Sequence, residues 1–114
     1  MQDNRYSGRN RREHYRIRYP LTGRPRLTIS DKEYEVIDLS ESGLKFLCRE
    51  VDEFTAGAAV RVTITFNDGE SLHVKGKILR TAEKVSVISF SEDIPFGRIL
   101  KEQRYLKVHY PEYR

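Results

Sequence analysis

The stretch from residue 60 to residue 90 limits this chain more than any other. Val60, Val62, Ile64 and Phe66 alternate with Arg61, Thr63 and Thr65. A period of two places four apolar side chains on one face of a strand. Asn67-Asp68-Gly69 follows at once, a strong hairpin signal, because Asn, Asp and Gly tolerate the positive φ of tight turns. Leu72, Val74 and Ile78 continue beyond the turn, with Gly76 marking a bulge or bend. Glu83-Lys84 makes a second short turn before a last strand from Val85 to Phe90.

The same period runs upstream. Leu27 and Ile29 alternate with Arg26, Thr28 and Ser30, giving a first strand, and Ser30-Asp31-Lys32 is a turn. Residues 33–39 form a second strand, with Tyr34, Val36 and Asp38 alternating with Glu35, Ile37 and Leu39. Ser40-Glu41-Ser42-Gly43 interrupts it, Leu44 to Leu47 is a short third strand, and residues 49–58 are a loop ending at Gly57. Short, evenly spaced strands joined by turns predict an all-β, antiparallel sandwich or small barrel. The pattern changes near the end. Ser91-Glu92-Asp93 with Pro95 behind them predicts a helix start. Ile99, Leu100, Gln103, Leu106 and Lys107 form its stripe and Pro111 ends it, a C-terminal helix over about 93–110 that caps one end of the barrel. At 114 residues the chain fits one domain.

Charge is unevenly placed. Residues 1–26 hold eight arginines, no lysine and two acids, a net of +6, while the other 88 residues hold 13 basic and 15 acidic side chains. The basicity belongs to one Arg-rich segment, and guanidinium is a planar fork that grips phosphate and guanine edges and stacks on flat rings. Residues 1–20 therefore read as a flexible basic arm and residues 21–114 as the barrel with its helix.

Several classes of function find no support. No apolar run approaches 18 residues, which argues against membrane insertion, and no apolar stretch follows the N-terminal positive charges. Cys48 is the single cysteine, so neither an intrachain disulfide nor a Cys-based zinc site forms, and a reducing cytoplasm is the expected compartment. Cys48 reads as a small core residue rather than a reactive thiol. His14, His73 and His109 carry no metal-ligand spacing. Ser40 and Ser42 lack the elbow that exposes a nucleophile, and no GxxxxGK[ST] loop is present. No catalytic residue, metal or cofactor is expected, and the chain does not read as an enzyme.

Two motifs stand above this background. Arg11-Arg12-Glu13-His14-Tyr15-Arg16 contains RxxxR at Arg12 and Arg16. Asp38-Leu39-Ser40-Glu41-Ser42-Gly43 has the form DxSxxG. Alone, the second could be a turn, with Asp and Ser capping backbone N–H groups and Gly taking positive φ. Their order, their separation and the β-rich chain behind them make the pair specific. In these features the chain resembles the PilZ domain family, bacterial receptors for the second messenger cyclic di-GMP. The resemblance runs from about Arg9 to the C-terminal helix. It implies a six-stranded antiparallel β-barrel with a C-terminal helix, RxxxR in a segment before the first strand, and [D/N]xSxxG at the end of the second strand.

The resemblance also implies site residues. Arg12 and Arg16 would grip guanine edges and phosphate, since Arg reads guanine O6 and N7 bidentately. Asp38 would accept hydrogen bonds from guanine N1–H and N2–H₂, Ser40 would bond phosphate or a base edge, and Gly43 would let the ligand approach backbone closely. Arg11 is a third phosphate or stacking contact, and Arg9, Ser42 and Arg80 are weaker candidates. The charge layout predicts that residues 1–20 are mobile without ligand, and that two ligand phosphates neutralise the arm and fold it over the face carrying Asp38, Ser40 and Gly43. The ordered arm would then present a surface to a protein effector in trans, in motility, exopolysaccharide or biofilm control. A monomer or weak homodimer is expected, with any contact at the C-terminal helix. Two departures from the family pattern stand out: Ser86 and Ser89 lie in the last strand where many members carry Gly, and Glu13 sits inside RxxxR.

Two other readings compete. One is a nucleic-acid-binding small barrel of the OB or cold-shock kind, which stacks bases on strand aromatics. Here the candidates, Tyr34, Phe46, Phe66 and Phe90, fall mostly on apolar-face positions, so nucleic acid is a poorer partner. The other is a PilZ-like interaction module without ligand.

Overall fold

The computed structural model describes residues 16–50 and 53–111. Seven strands and one α-helix follow in chain order: β1 (Ile17–Arg18), β2 (Arg26–Ile29), β3 (Lys32–Leu39), β4 (Gly43–Leu47), β5 (Ala59–Thr65), β6 (Ser71–Ala82), β7 (Val85–Phe90) and α1 (Phe96–His109). All pairings are antiparallel. The ring runs β3-β2-β5-β6-β7-β4 and closes through β4 back onto β3. The result is a closed six-stranded barrel, and closure removes the sheet edges on which other chains could pair. The short β1 lies outside the ring, paired to the end of β3 as Ile17↔Leu39 and Arg18↔Asp38. The arm expected over 1–20 thus includes residues that pack on the barrel, because Ile17 and Tyr19 are buried.

The turns are where the residue types place them. Ser30 and Asp31 both adopt positive φ, 51° and 69°, the geometry that lets two residues connect β2 to β3. Gly69, at φ 92°, closes the β5–β6 hairpin. Every barrel strand sends at least one side chain into the core, and Leu27, Val36, Leu44, Phe46, Ile64, Ile78 and Ile88 are essentially inaccessible. Each such side chain contributes about 1.5–3 kcal/mol by burial. Tyr34, Phe46 and Phe54 pack edge to face with centroids 5.3–5.6 Å apart. Cys48 is buried with its Sγ 2.9 Å from the Ser86 Oγ, and burial pushes its thiol pKa up.

Strict alternation fails at two places. The β3–β4 register shifts between Val36 and Asp38, and the β6–β7 register shifts between Ile78 and Arg80. Without a bulge, Asp38 would share the inward face with Val36, and Arg80 would share it with Ile78. The extra residue, Ile37 or Leu79, reverses the phase. Asp38 then pairs with Lys45 on the outer face while Leu39 pairs with Leu44 in the core. Arg80 likewise pairs with Val87 on the outside. The alternation that put Asp38 with Tyr34 and Val36 is corrected here. The bulge expected at Gly76 falls at Leu79. Gly76 serves a close approach instead, because a Cβ there would lie 2.4 Å from the Ser89 carbonyl oxygen.

The helix starts with Pro95 at its N-cap. Residues 91–95 form a connection held down by Ile94, whose side chain is buried and whose N–H donates to the Glu41 carbonyl at 2.9 Å. The buried face is Arg98, Ile99, Glu102 and Leu106, so the expected stripe is displaced toward two charged residues and Lys107 is exposed. Arg98 stacks over the Phe66 ring at 3.9 Å. It donates to Asp68 at 2.9 Å and also to Glu70 and Glu102. Tyr19 Oη donates to Glu102 at 2.7 Å. One guanidinium thus ties α1 to the β5–β6 hairpin, while Glu102 ties it to the segment after β1. Burial pulls the Arg98 pKa down, but hydrogen bonds to Glu102 and Asp68 raise it overall.

Candidate ligand-binding site

The site begins where β1 meets β3. Because β1 runs antiparallel to β3, Arg16 lies just beyond the Ile17↔Leu39 pair. Its Nη1 donates to Asp38 Oδ1 at 3.2 Å. Lys45, opposite Asp38 on β4, places Nζ 3.8 Å from the other carboxylate oxygen, Oδ2. The Asp38 side chain is only 6% exposed, against 41% for Arg16 and 36% for Lys45. A sunken carboxylate is therefore covered by two half-exposed cations. The last residue of RxxxR meets the first residue of DxSxxG, 22 positions away, on the outer face of the barrel.

The rest of DxSxxG forms the β3–β4 turn. The Ser40 N–H donates to the Gly43 carbonyl at 2.8 Å, and its Oγ reaches the same oxygen at 3.3 Å and the Ser42 Oγ at 3.4 Å. Ser40 is buried and Ser42 exposed. The turn is stitched to the end of β7, since the Phe90 N–H donates to the Ser42 carbonyl at 2.8 Å. Gly43 is glycine for a reason internal to the barrel: a Cβ there would lie 2.3 Å from the Ile88 carbonyl oxygen. Its close approach is to β7, and its φ lies outside the left-handed region. Gly43 and Gly76 flank β7 on its two sides, letting the neighbouring strands close tightly around it.

Arg80 is exposed on the same outer face. The row Asp38, Lys45, Val87, Arg80 crosses four adjacent strands, so Arg80 sits about 14 Å along the sheet from Asp38. Arg9, Arg11 and Arg12 lie outside the described residues, as does Glu13. Two arginines of the basic segment serve the barrel: Arg24 bonds Glu35 at 3.0 Å and Arg26 lies 3.6 Å from Glu33. Lys45 was missed by sequence reasoning. Its signal was its place two residues beyond Gly43, on the outward phase of β4. Among the described residues, no group of His, Cys, Asp or Glu is placed to hold a metal ion. A groove of about 430 Å³ lies elsewhere, between Leu72–Lys75 of β6 and the connection 91–95, and none of the motif residues lines it.

The chemistry on offer is recognition. A carboxylate accepts from paired N–H donors, whether of a guanidinium or of a guanine edge. The cations around it suit a phosphate. A small closed barrel with a cation-covered carboxylate at one strand end and a helix at its side belongs among compact binding modules. More narrowly, the PilZ domain model matches residues 10–106, and the chain belongs to the PilZ domain family. Among solved structures, the Bacillus subtilis inhibitor of motility, MotI/DgrA, is similar with a TM-score of 0.61 at 13% identity. That match covers 87% of this chain and 51% of the other, so this chain spans about half its length. An uncharacterised Legionella protein is similar with a TM-score of 0.50 at 13% identity, over 85% of this chain and 95% of that one. At such identities the likeness is one of fold. No curated protein matches the chain.

Proposed function

We propose that this protein is a cyclic di-GMP receptor that acts as an adaptor. The observation that carries the reading is the Arg16–Asp38 contact, which joins the two motifs at one point of the outer face. Membership of the PilZ family supports it. In this reading the ligand's guanine offers Asp38 paired N–H donors in place of the single N–H that Arg16 donates to Oδ1. Arg16 is thereby released to the ligand's phosphate or to a base face. Ser40 and Ser42 supply hydroxyls at the turn, Lys45 adds a cation beside Asp38, and Arg11, Arg12 and more weakly Arg9 close from the arm side. The ligand orders the arm over this face, and the new surface engages an effector protein in trans. The name of the Bacillus subtilis structure makes motility the first output to examine.

Isothermal titration tests this. Cyclic di-GMP is titrated into wild type, Arg12→Ala, Arg16→Ala and Asp38→Ala, with GTP and a short single-stranded RNA as controls. Selective binding by wild type is expected, weakened by about 1–3 kcal/mol in each variant, the range for a lost bidentate contact. Binding of RNA with no response to cyclic di-GMP would refute the reading in favour of the nucleic-acid barrel. Silence toward every ligand would refute it in favour of an interaction module.

A further inference from the structure

The acids of the barrel strands are all on β3, where bases on β2, β3 and β4 accompany them. β5, β6 and β7 together hold 25 residues and no Asp or Glu, whereas β3 alone holds three acids in eight residues. The three acid-free strands carry Arg61, Lys75, Lys77 and Arg80, all exposed. Arg61 sits directly opposite Lys75, a like-charge pair that destabilises an antiparallel sheet. Lys77 follows two residues on, opposite Ala59 and Ser89. Among the described residues, no ion pair links any of the four to a carboxylate, in contrast to Arg24, Arg26, Lys45 and Arg98. Leu79, lifted out by the β6 bulge, is 61% exposed beside Arg80. Glu92 and Asp93 border the face beyond Lys75.

We propose that this outer face of β5–β6–β7 is a docking surface for an anionic membrane, which the protein touches without inserting. The proposal does not rest on the cyclic di-GMP reading. A row of three cations along β6, with a fourth beside it on β5, complements the negative charge of lipid headgroups. Each Lys or Arg near an anionic leaflet adds roughly fivefold to binding, and one exposed Leu among them can enter the headgroup region. A stable protein interface draws on aromatic anchors at its centre, and a single-stranded nucleic acid needs aromatics to stack on. The outward positions of these strands offer neither, since His73 is their nearest approach to a stacking ring.

The test is co-sedimentation of the full chain, without cyclic di-GMP, with vesicles of phosphatidylcholine alone or containing about one-third phosphatidylglycerol, the latter to give the anionic surface potential. Binding to the anionic vesicles only, falling as salt rises, is expected. The double variant Lys75→Glu with Lys77→Glu should weaken it at least tenfold, and Leu79→Ser by a smaller factor. Replacing Arg5, Arg9, Arg11 and Arg12 with Ala should leave at least half the binding. The double reversal removes the repulsion from Arg61, so its thermal midpoint should hold or rise. If it does not fold, Lys75→Gln with Lys77→Gln replaces it, with about a twenty-five-fold loss expected from two charges. Three results overturn the proposal: no anionic binding, undiminished binding after the charge change, or tighter binding to duplex DNA than to vesicles.

Discussion

The molecule holds two charged clusters built on opposite plans. Around Arg98 a buried guanidinium, 6% exposed, is surrounded by Asp68, Glu70 and Glu102 and seated on Phe66. Around Asp38 a buried carboxylate is covered by two cations that remain half in solvent. The first arrangement holds its guanidinium against one fully buried carboxylate, Glu102, with Asp68 and Glu70 bonding it from the rim. The second can exchange its cations for other donors at little cost, because a half-exposed ion pair contributes at most about 1 kcal/mol. The comparison separates a charge cluster that ties the helix to the barrel from one whose cations stay open to solvent, as the proposed function requires.

The sharpest way to break that distinction is to remove each guanidinium in turn. Arg98→Met leaves the buried Glu102 without its cation, keeping the Tyr19 hydroxyl as a neutral donor, and should cost about 3–5 kcal/mol in urea unfolding. Equal stability in that variant would remove the structural role of the cluster. Gly43→Ala comes next, at about 1–3 kcal/mol for forced overpacking, because its Cβ would collide with β7 backbone. An unchanged unfolding midpoint with lost ligand affinity would instead make Gly43 a ligand contact. Arg16→Met should cost less than about 1 kcal/mol of stability, however large its effect on binding.

Acid sharpens the comparison from another side. Burial pushes the Asp68 carboxyl up, but the Glu70 N–H and the Arg98 guanidinium outweigh it and hold the pKa below the ordinary range. A carboxyl lowered in the folded state stabilises the fold above its unfolded value of about 3.9, and that contribution disappears as pH falls through the folded value. Asp68→Asn should therefore flatten the acid limb of stability against pH. An identical limb in wild type and Asp68→Asn would show that this carboxyl is not held by Arg98.

Much of this was legible in the residues. Period two located the barrel strands, and the turn residues located the connections between them. The two motifs were legible, but the direct contact between them, Arg16 Nη1 to Asp38 Oδ1 at 3.2 Å, was not. The two bulges were not legible, since a bulge is a property of a strand pair and the alternation of one strand cannot announce it. They matter because they turn Asp38 and Arg80 outward. The Arg98 cluster was hidden for a related reason. Arg98 and Glu102 lie outside the apolar stripe read from the helix, and only the β5–β6 hairpin and Tyr19 closing over them make them interior.

The most direct test is to follow backbone amide resonances of the nitrogen-labelled protein while cyclic di-GMP is added. The account predicts that amides from Asp38 to Gly43, together with Lys45, shift with the ligand, while Phe66, Asp68, Glu70 and Arg98 stay in place. Shifts confined to the Arg98 cluster, with Asp38 to Gly43 unmoved, would contradict it.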